Sequence, residues 1–182
     1  MTIKDIVKLC AVYLNKEDLL KDEQFLSNQA LRETNVLTVC ANVVISELAC
    51  SYLPLIKSEK VTANGKRVYY SSLNERALEI LSVKDEQGED LSFTVLNEYV
   101  TVPQSQVVVE YRYLPSNYGL CDEIGYAEEK VPLRLIAYGT IAEYLLTERA
   151  FEESLTWRNR YNDMLSIMVL PKNSKIRPRS FV

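Results

Sequence analysis

Histidine does not occur in this chain of 182 residues. Its absence excludes Ser–His and Cys–His nucleophile systems, histidine general bases and most transition-metal sites. Glycine (5) and proline (6) are few and scattered. No stretch resembles a phosphate loop or a dinucleotide fingerprint, and neither a disordered chain nor a low-complexity repeat is expected. No apolar run reaches about 18 residues, so no membrane span is expected. The four cysteines, Cys10, Cys40, Cys50 and Cys121, lie far apart without CxxC spacing. They are expected to be buried small hydrophobes in a reducing compartment. The start, MTIKDIVKLC, has an acid and an amphipathic rhythm where a signal peptide has a basic start and an apolar block, which points to an intracellular site of synthesis.

What is present suits a soluble globular domain: 47% of residues are hydrophobic and 25% charged, enough for a real core in one domain or one domain with an insertion. Ile3, Ile6, Val7, Cys10, Tyr13 and Leu14 recur at helical spacing. Asn15 can cap a second helix over about 16–27, with Glu17 and Asp18 at its positive end. A longer helix is expected over about 29–52, with Leu37, Ala41, Val44, Ile45, Leu48 and Tyr52 as its stripe and Pro54 as its stop.

The hydrophobic period then changes to 2. Asn64-Gly65 between two β-prone runs predicts a tight two-residue hairpin turn. Further hairpins are expected near Gly88 and around Pro103 to Ser105. Six short strands joined by local turns predict an antiparallel sheet, too small to stand alone, that packs on the helices or a neighbouring subunit. After an irregular acidic loop over 115–129, helical rhythm returns. Pro132 sits in the first turn, Leu135, Tyr138, Ala142 and Leu145 share a face, and a bend is expected near Thr147 to Ala150. A last run carries Phe151, Leu155, Trp157, Tyr161, Met164, Leu165 and Met168 and ends at Pro171. The fold class is therefore α+β: a helical bundle made by the N- and C-terminal helices, a central antiparallel β insertion and an extended C-terminal arm. Residues 1–56 are the first helices, 57–114 the insertion, 115–170 the loop and helical hairpin, and 171–182 the arm.

Few residues suggest chemistry. Asp122, Glu123, Glu128 and Glu129 lack the spacing and turn glycine of a calcium loop and read as a solvated acidic loop. Tyr69, Tyr70, Tyr99, Tyr111 and Tyr113 fall on predicted strands. Stacking on single-stranded nucleic acid would also need a basic groove, so half-buried sheet residues or a protein interface fit better. Gly139 inside a helix costs about 1 kcal/mol relative to alanine and suggests a close helix crossing. Paired carboxylates could serve as acid and base, but nothing selects a pair. Neither a cofactor nor a metal is expected.

The C-terminal segment PKNSKIRPRSFV differs from the rest. It holds four cations and no acid; without them, 17 of the 21 Lys and Arg face 25 acids in residues 1–170, a net charge of −8. Pro171 and Pro178 bias the segment towards extended backbone. Ile176, Phe181 and Val182 are apolar residues that a purely solvating tail does not need. A docking arm for an acidic surface is expected, with Lys172, Lys175, Ile176, Arg177, Arg179, Phe181 and Val182 as its partner-binding residues.

Three stretches carry a family resemblance. They are VLTVCANVVISELACSYLPL running into the strands, LEILSVKDEQGEDLSF, and the long run from VVVEYRYLP through the acidic loop to AYGTIAEYLL and WRNRYNDML. Over roughly residues 28–170 this order resembles the head–tail adaptor (connector, neck) proteins of tailed bacteriophages. The resemblance implies a non-enzymatic virion structural protein, made in the host bacterial cytoplasm and located in the neck of the virion. It implies a ring, commonly of twelve copies, beneath the portal protein, extending the DNA channel and docking the next neck or tail protein. DNA would pass without sequence-specific binding, and no membrane is involved. The arm would reach the portal or an adjacent subunit, and an acidic channel wall would let DNA slide. The β region is larger than in simpler members. The alternative is a nucleic-acid-binding module that uses the β insertion; a carboxylate- or lysine-based enzyme is a further one.

Overall fold

The computed structural model describes residues 1–21 and 26–169. Helix α1 (Ile3–Tyr13) starts at a capping box: the Thr2 hydroxyl accepts from Asp5 N, and the Asp5 carboxylate accepts from Thr2 N at 2.8 Å. Its apolar stripe, Ile3, Ile6, Val7, Cys10 and Ala11, is buried. The second helix expected over 16–27 is not formed as such. Only Glu17–Leu20 makes a 3₁₀ turn, Lys21, Leu26 and Ser27 are non-helical, and residues 22–25 lie outside the described residues. Of this turn only Leu19 is buried, which is too narrow an apolar face to hold a longer helix against a core. Asn15 is not its cap; it takes a left-handed conformation (φ 53°) that turns the chain after α1.

Helix α2 (Asn28–Glu47) is capped by the Ser27 hydroxyl and continues as one π-helical turn, Leu48–Tyr52. The expected stripe is buried from Leu37 to Leu48, whereas Tyr52 is exposed. By length and composition Asn28–Tyr52 passes as a membrane-spanning helix, contrary to the sequence expectation, yet half of it is buried within the protein, against α1 and α3. It is a core helix here. Helix α3 (Leu133–Thr147) begins after Pro132 and is the central element, packed on α1, α2 and α4. Helix α4 (Phe151–Val169) returns antiparallel after a bend at which Arg149 has φ 61°. The two chain ends thus share one helical core, as their separate stripes require.

The insertion contributes β1 (Leu55–Thr62), β2 (Arg67–Tyr69), β3 (Arg76–Lys84), β4 (Thr94–Val95), β5 (Tyr99–Thr101) and β6 (Gln106–Leu114). All pairings among them are antiparallel, but they make two three-stranded sheets, ordered β1-β6-β3 and β2-β5-β4, where one was expected. The turn after β1 lies one residue later than Asn64-Gly65. Gly65 (φ 60°) and Lys66 (φ 63°) are its two left-handed residues, and Asn64 pairs with Arg67 across it. Beyond this turn β1 and β2 part, because β1 finds eight residues of register with β6. The turn at Gly88 is present, closed by Gly88 N donating to Asp85 O, but its return strand shrinks to the single bridge Lys84–Asp90. The turn around Pro103 to Ser105 carries the chain from one sheet to the other rather than closing a hairpin. Val68, Val83, Val100, Val107, Val109 and Tyr111 are in a second core between the sheets, and Tyr113 packs against both cores. The α+β class holds.

Candidate partner interface

The seven residues expected to bind a partner, Lys172, Lys175, Ile176, Arg177, Arg179, Phe181 and Val182, lie outside the described residues. What is described is the surface available to such a segment, and the acidic loop dominates it. This loop is a strap rather than a merely solvated excursion. Asn42 of α2 clamps Tyr118 at both backbone groups, accepting from its N at 2.7 Å and donating to its O at 2.9 Å. Lys4 N donates to Leu120 O at 2.8 Å, and Ile124 N to Met1 O at 3.1 Å. Ile124 and Tyr126 are buried, and the Tyr126 hydroxyl donates to Leu53 O at 2.7 Å. Burial pushes the Tyr126 phenol well above the usual tyrosine range. The chain passes closely at Gly125: a Cβ there would lie 2.9 Å from Tyr113 Oη and 3.3 Å from Leu55 Cδ2.

Held this way, the loop turns Ile124 and Tyr126 inward and leaves its acidic residues outside. Asp122, Glu123, Glu128 and Glu129 are all exposed, and the Asp122 carboxylate accepts from Gly119 N at 2.7 Å. Beside them, where the strap crosses the junction of the two cores, a groove of about 360 Å³ opens between Leu53, Pro54, Ile56, Tyr113, Tyr126 and Val131, with Lys130 among its lining residues. Ile56 in this groove is 53% exposed. A second apolar groove runs along α2 at Val39 and Val43, against Asn117 and Tyr118. Phe151 and Leu155, expected with the apolar run of α4, are 64% and 61% exposed. The groove was not foreseen from sequence, although LPLI at 53–56 is an unusually apolar entry to an edge strand.

Cys10 and Cys40 are buried as expected, and burial drives both thiols up, Cys40 to about 11. Cys50 and Cys121 are exposed, which corrects the expectation for them; Cys50 falls on the outer side of the π turn and Cys121 on the strap. The tyrosines divide: Tyr111 is fully buried, while Tyr69 and Tyr99 pair at the surface with ring centroids 5.5 Å apart and Arg67 over Tyr99 at 4.8 Å. Among the described residues no group of His, Cys, Asp and Glu is arranged to hold a metal ion. Arg158 of α4 instead ties the helices together, pairing with Glu47 of α2 at 3.5 Å and with Glu143 of α3. No protein-family model and no curated protein matches the chain.

Proposed function

We propose that this chain is a non-enzymatic head–tail adaptor of a tailed bacteriophage, forming a ring beneath the portal and docking the next neck or tail component. The observation that supports this best is the division of labour in the fold. One helical core is built from both chain ends, and a β insertion with its own core projects from it. Such an arrangement offers two separate surfaces to two neighbours, and the groove, the strap and the exposed apolar residues of α2 and α4 supply contact area. The net charge of −8 in residues 1–170 suits a channel wall that DNA passes without adhering. Location in the virion neck and a twelve-copy ring remain parts of the same proposal. The test is co-sedimentation of the full chain, and of a 1–170 truncation, with portal rings of the phage that encodes it. Binding that weakens sharply without residues 171–182 supports both the adaptor and its arm; equal binding removes the arm from the account.

A second reading, nucleic-acid binding through the insertion, draws support from the Arg67, Tyr69 and Tyr99 patch. It requires salt-sensitive binding to single strands that Tyr99→Ala abolishes. Binding of the full chain to portal rings without affinity for single strands decides against it.

A further inference from the structure

We infer that residues 171–182 dock on the acidic strap of their own molecule, with Phe181 and Val182 in the groove beneath it. This inference does not rest on the adaptor reading. Three observations converge on it. The first is charge. The strap presents four exposed carboxylates, and the segment carries four cations and no acid. The second is the order of chemistry along the segment. Lys172, Lys175, Arg177 and Arg179 come first and the apolar pair last. A chain lying along Glu128 and Glu129 would therefore bring its apolar end to the apolar groove.

The third is reach. Helix α4 runs antiparallel to α3: Ser154 Oγ donates to Ala142 O, and the Tyr161 ring faces Gly139. Val169 lies as far beyond Tyr161 as Val131 lies before Gly139. Helix α4 therefore ends near the level at which Val131 lines the groove. Twelve extended residues span up to roughly 40 Å, ample to cross from there to the groove. An exposed Ile56 and a half-buried Tyr113 gain cover, and the apolar residues of the segment lose contact with water.

Carbodiimide cross-linking of the full wild-type chain followed by peptide mass spectrometry tests this. The reagent joins lysine amines to carboxylates in direct contact without adding a spacer. The expected result is Lys172 or Lys175 joined within the monomer to Asp122, Glu123, Glu128 or Glu129. These links should exceed several-fold those to the exposed acids Glu86, Glu89 and Asp90 at the far turn, and raised salt should suppress them. Links spread evenly over both sets of acids would overturn the inference. Links to the strap confined to the dimer band would overturn docking within one molecule. The double variant Phe181→Ala, Val182→Ala separates charge from groove. Loss of most strap links supports groove insertion, and an unchanged pattern refutes it.

Discussion

Gly139 decides how closely three helices approach. A Cβ at this position would sit 2.8 Å from Val44 Cγ1 and 3.1 Å from the Tyr161 ring, so its lack of a side chain lets α2, α3 and α4 meet. Two effects oppose each other in Gly139→Ala. Helix propensity favours alanine by about 1 kcal/mol, while forcing an atom into a packed contact costs about 1–3 kcal/mol. Val44 is β-branched and held in one rotamer by its helix, so it gives way poorly and overpacking wins. Urea unfolding should show Gly139→Ala about 1 kcal/mol less stable than wild type, although propensity alone forecasts a gain. Tyr111 carries a pH signature. Burial, and then the hydrogen bond it donates to Glu59 at 2.9 Å, raise its phenol from 10 to about 12. A proton held more tightly in the fold stabilises fully below pH 10, and that stabilisation is lost as pH rises through 12. Tyr111→Phe should cost about 1–2 kcal/mol at pH 7 and flatten the alkaline limb of the stability profile. Burial also raises Tyr126 and Tyr161, so part of the slope should remain.

Elements were legible where a pattern needs only neighbours, and less so where distant segments compete. The long apolar stripe of α2 and the bend before α4 follow from local spacing, and both are present. Turn chemistry also placed bends correctly near Gly65 and Gly88. It could not say which strands pair, because pairing is decided by register: β6 outcompetes β2 for β1 with eight paired positions. The cap of α1 was not read, since a capping box of Thr2 and Asp5 needs the backbone to show both bonds. Thr2→Ala should lower stability by about 1 kcal/mol, or about 2–4 °C in melting temperature for a chain of this size. Hydrogen bonding to Thr2 holds the Asp5 carboxyl below its ordinary value. Its contribution is therefore present above pH 4 and fades as pH falls below it. The strap is a second case. Nothing in Asn42 announces that it clamps Tyr118, because both bonds cross from a helix to a distant loop. Asn42→Ala should leave the helices intact while amide exchange quickens across Tyr118 to Gly125, a local loosening that hydrogen-exchange mass spectrometry reads directly.

At the scale of the molecule, the α–β–α order was readable because neither terminal helix set has enough apolar stripe to bury alone. Ile3 and Leu165, at opposite ends of the chain, do share one core. The division of the insertion into two sheets around its own core was not readable, nor was the groove at the junction. The division follows from the long register of β1 with β6, and the groove from Leu53, Tyr113 and Tyr126 meeting across the chain, contacts with no local signature. The basic arm was visible at once from charge alone, and its seven named residues lie outside the described residues. The adaptor account stands or falls on whether this chain recognises a portal. The decisive measurement is co-sedimentation of the full chain with purified portal rings, with bound mass per ring read by analytical ultracentrifugation. The account predicts saturable binding at one chain per portal subunit. No binding to intact portal rings, at concentrations where the chain itself remains soluble, would contradict it.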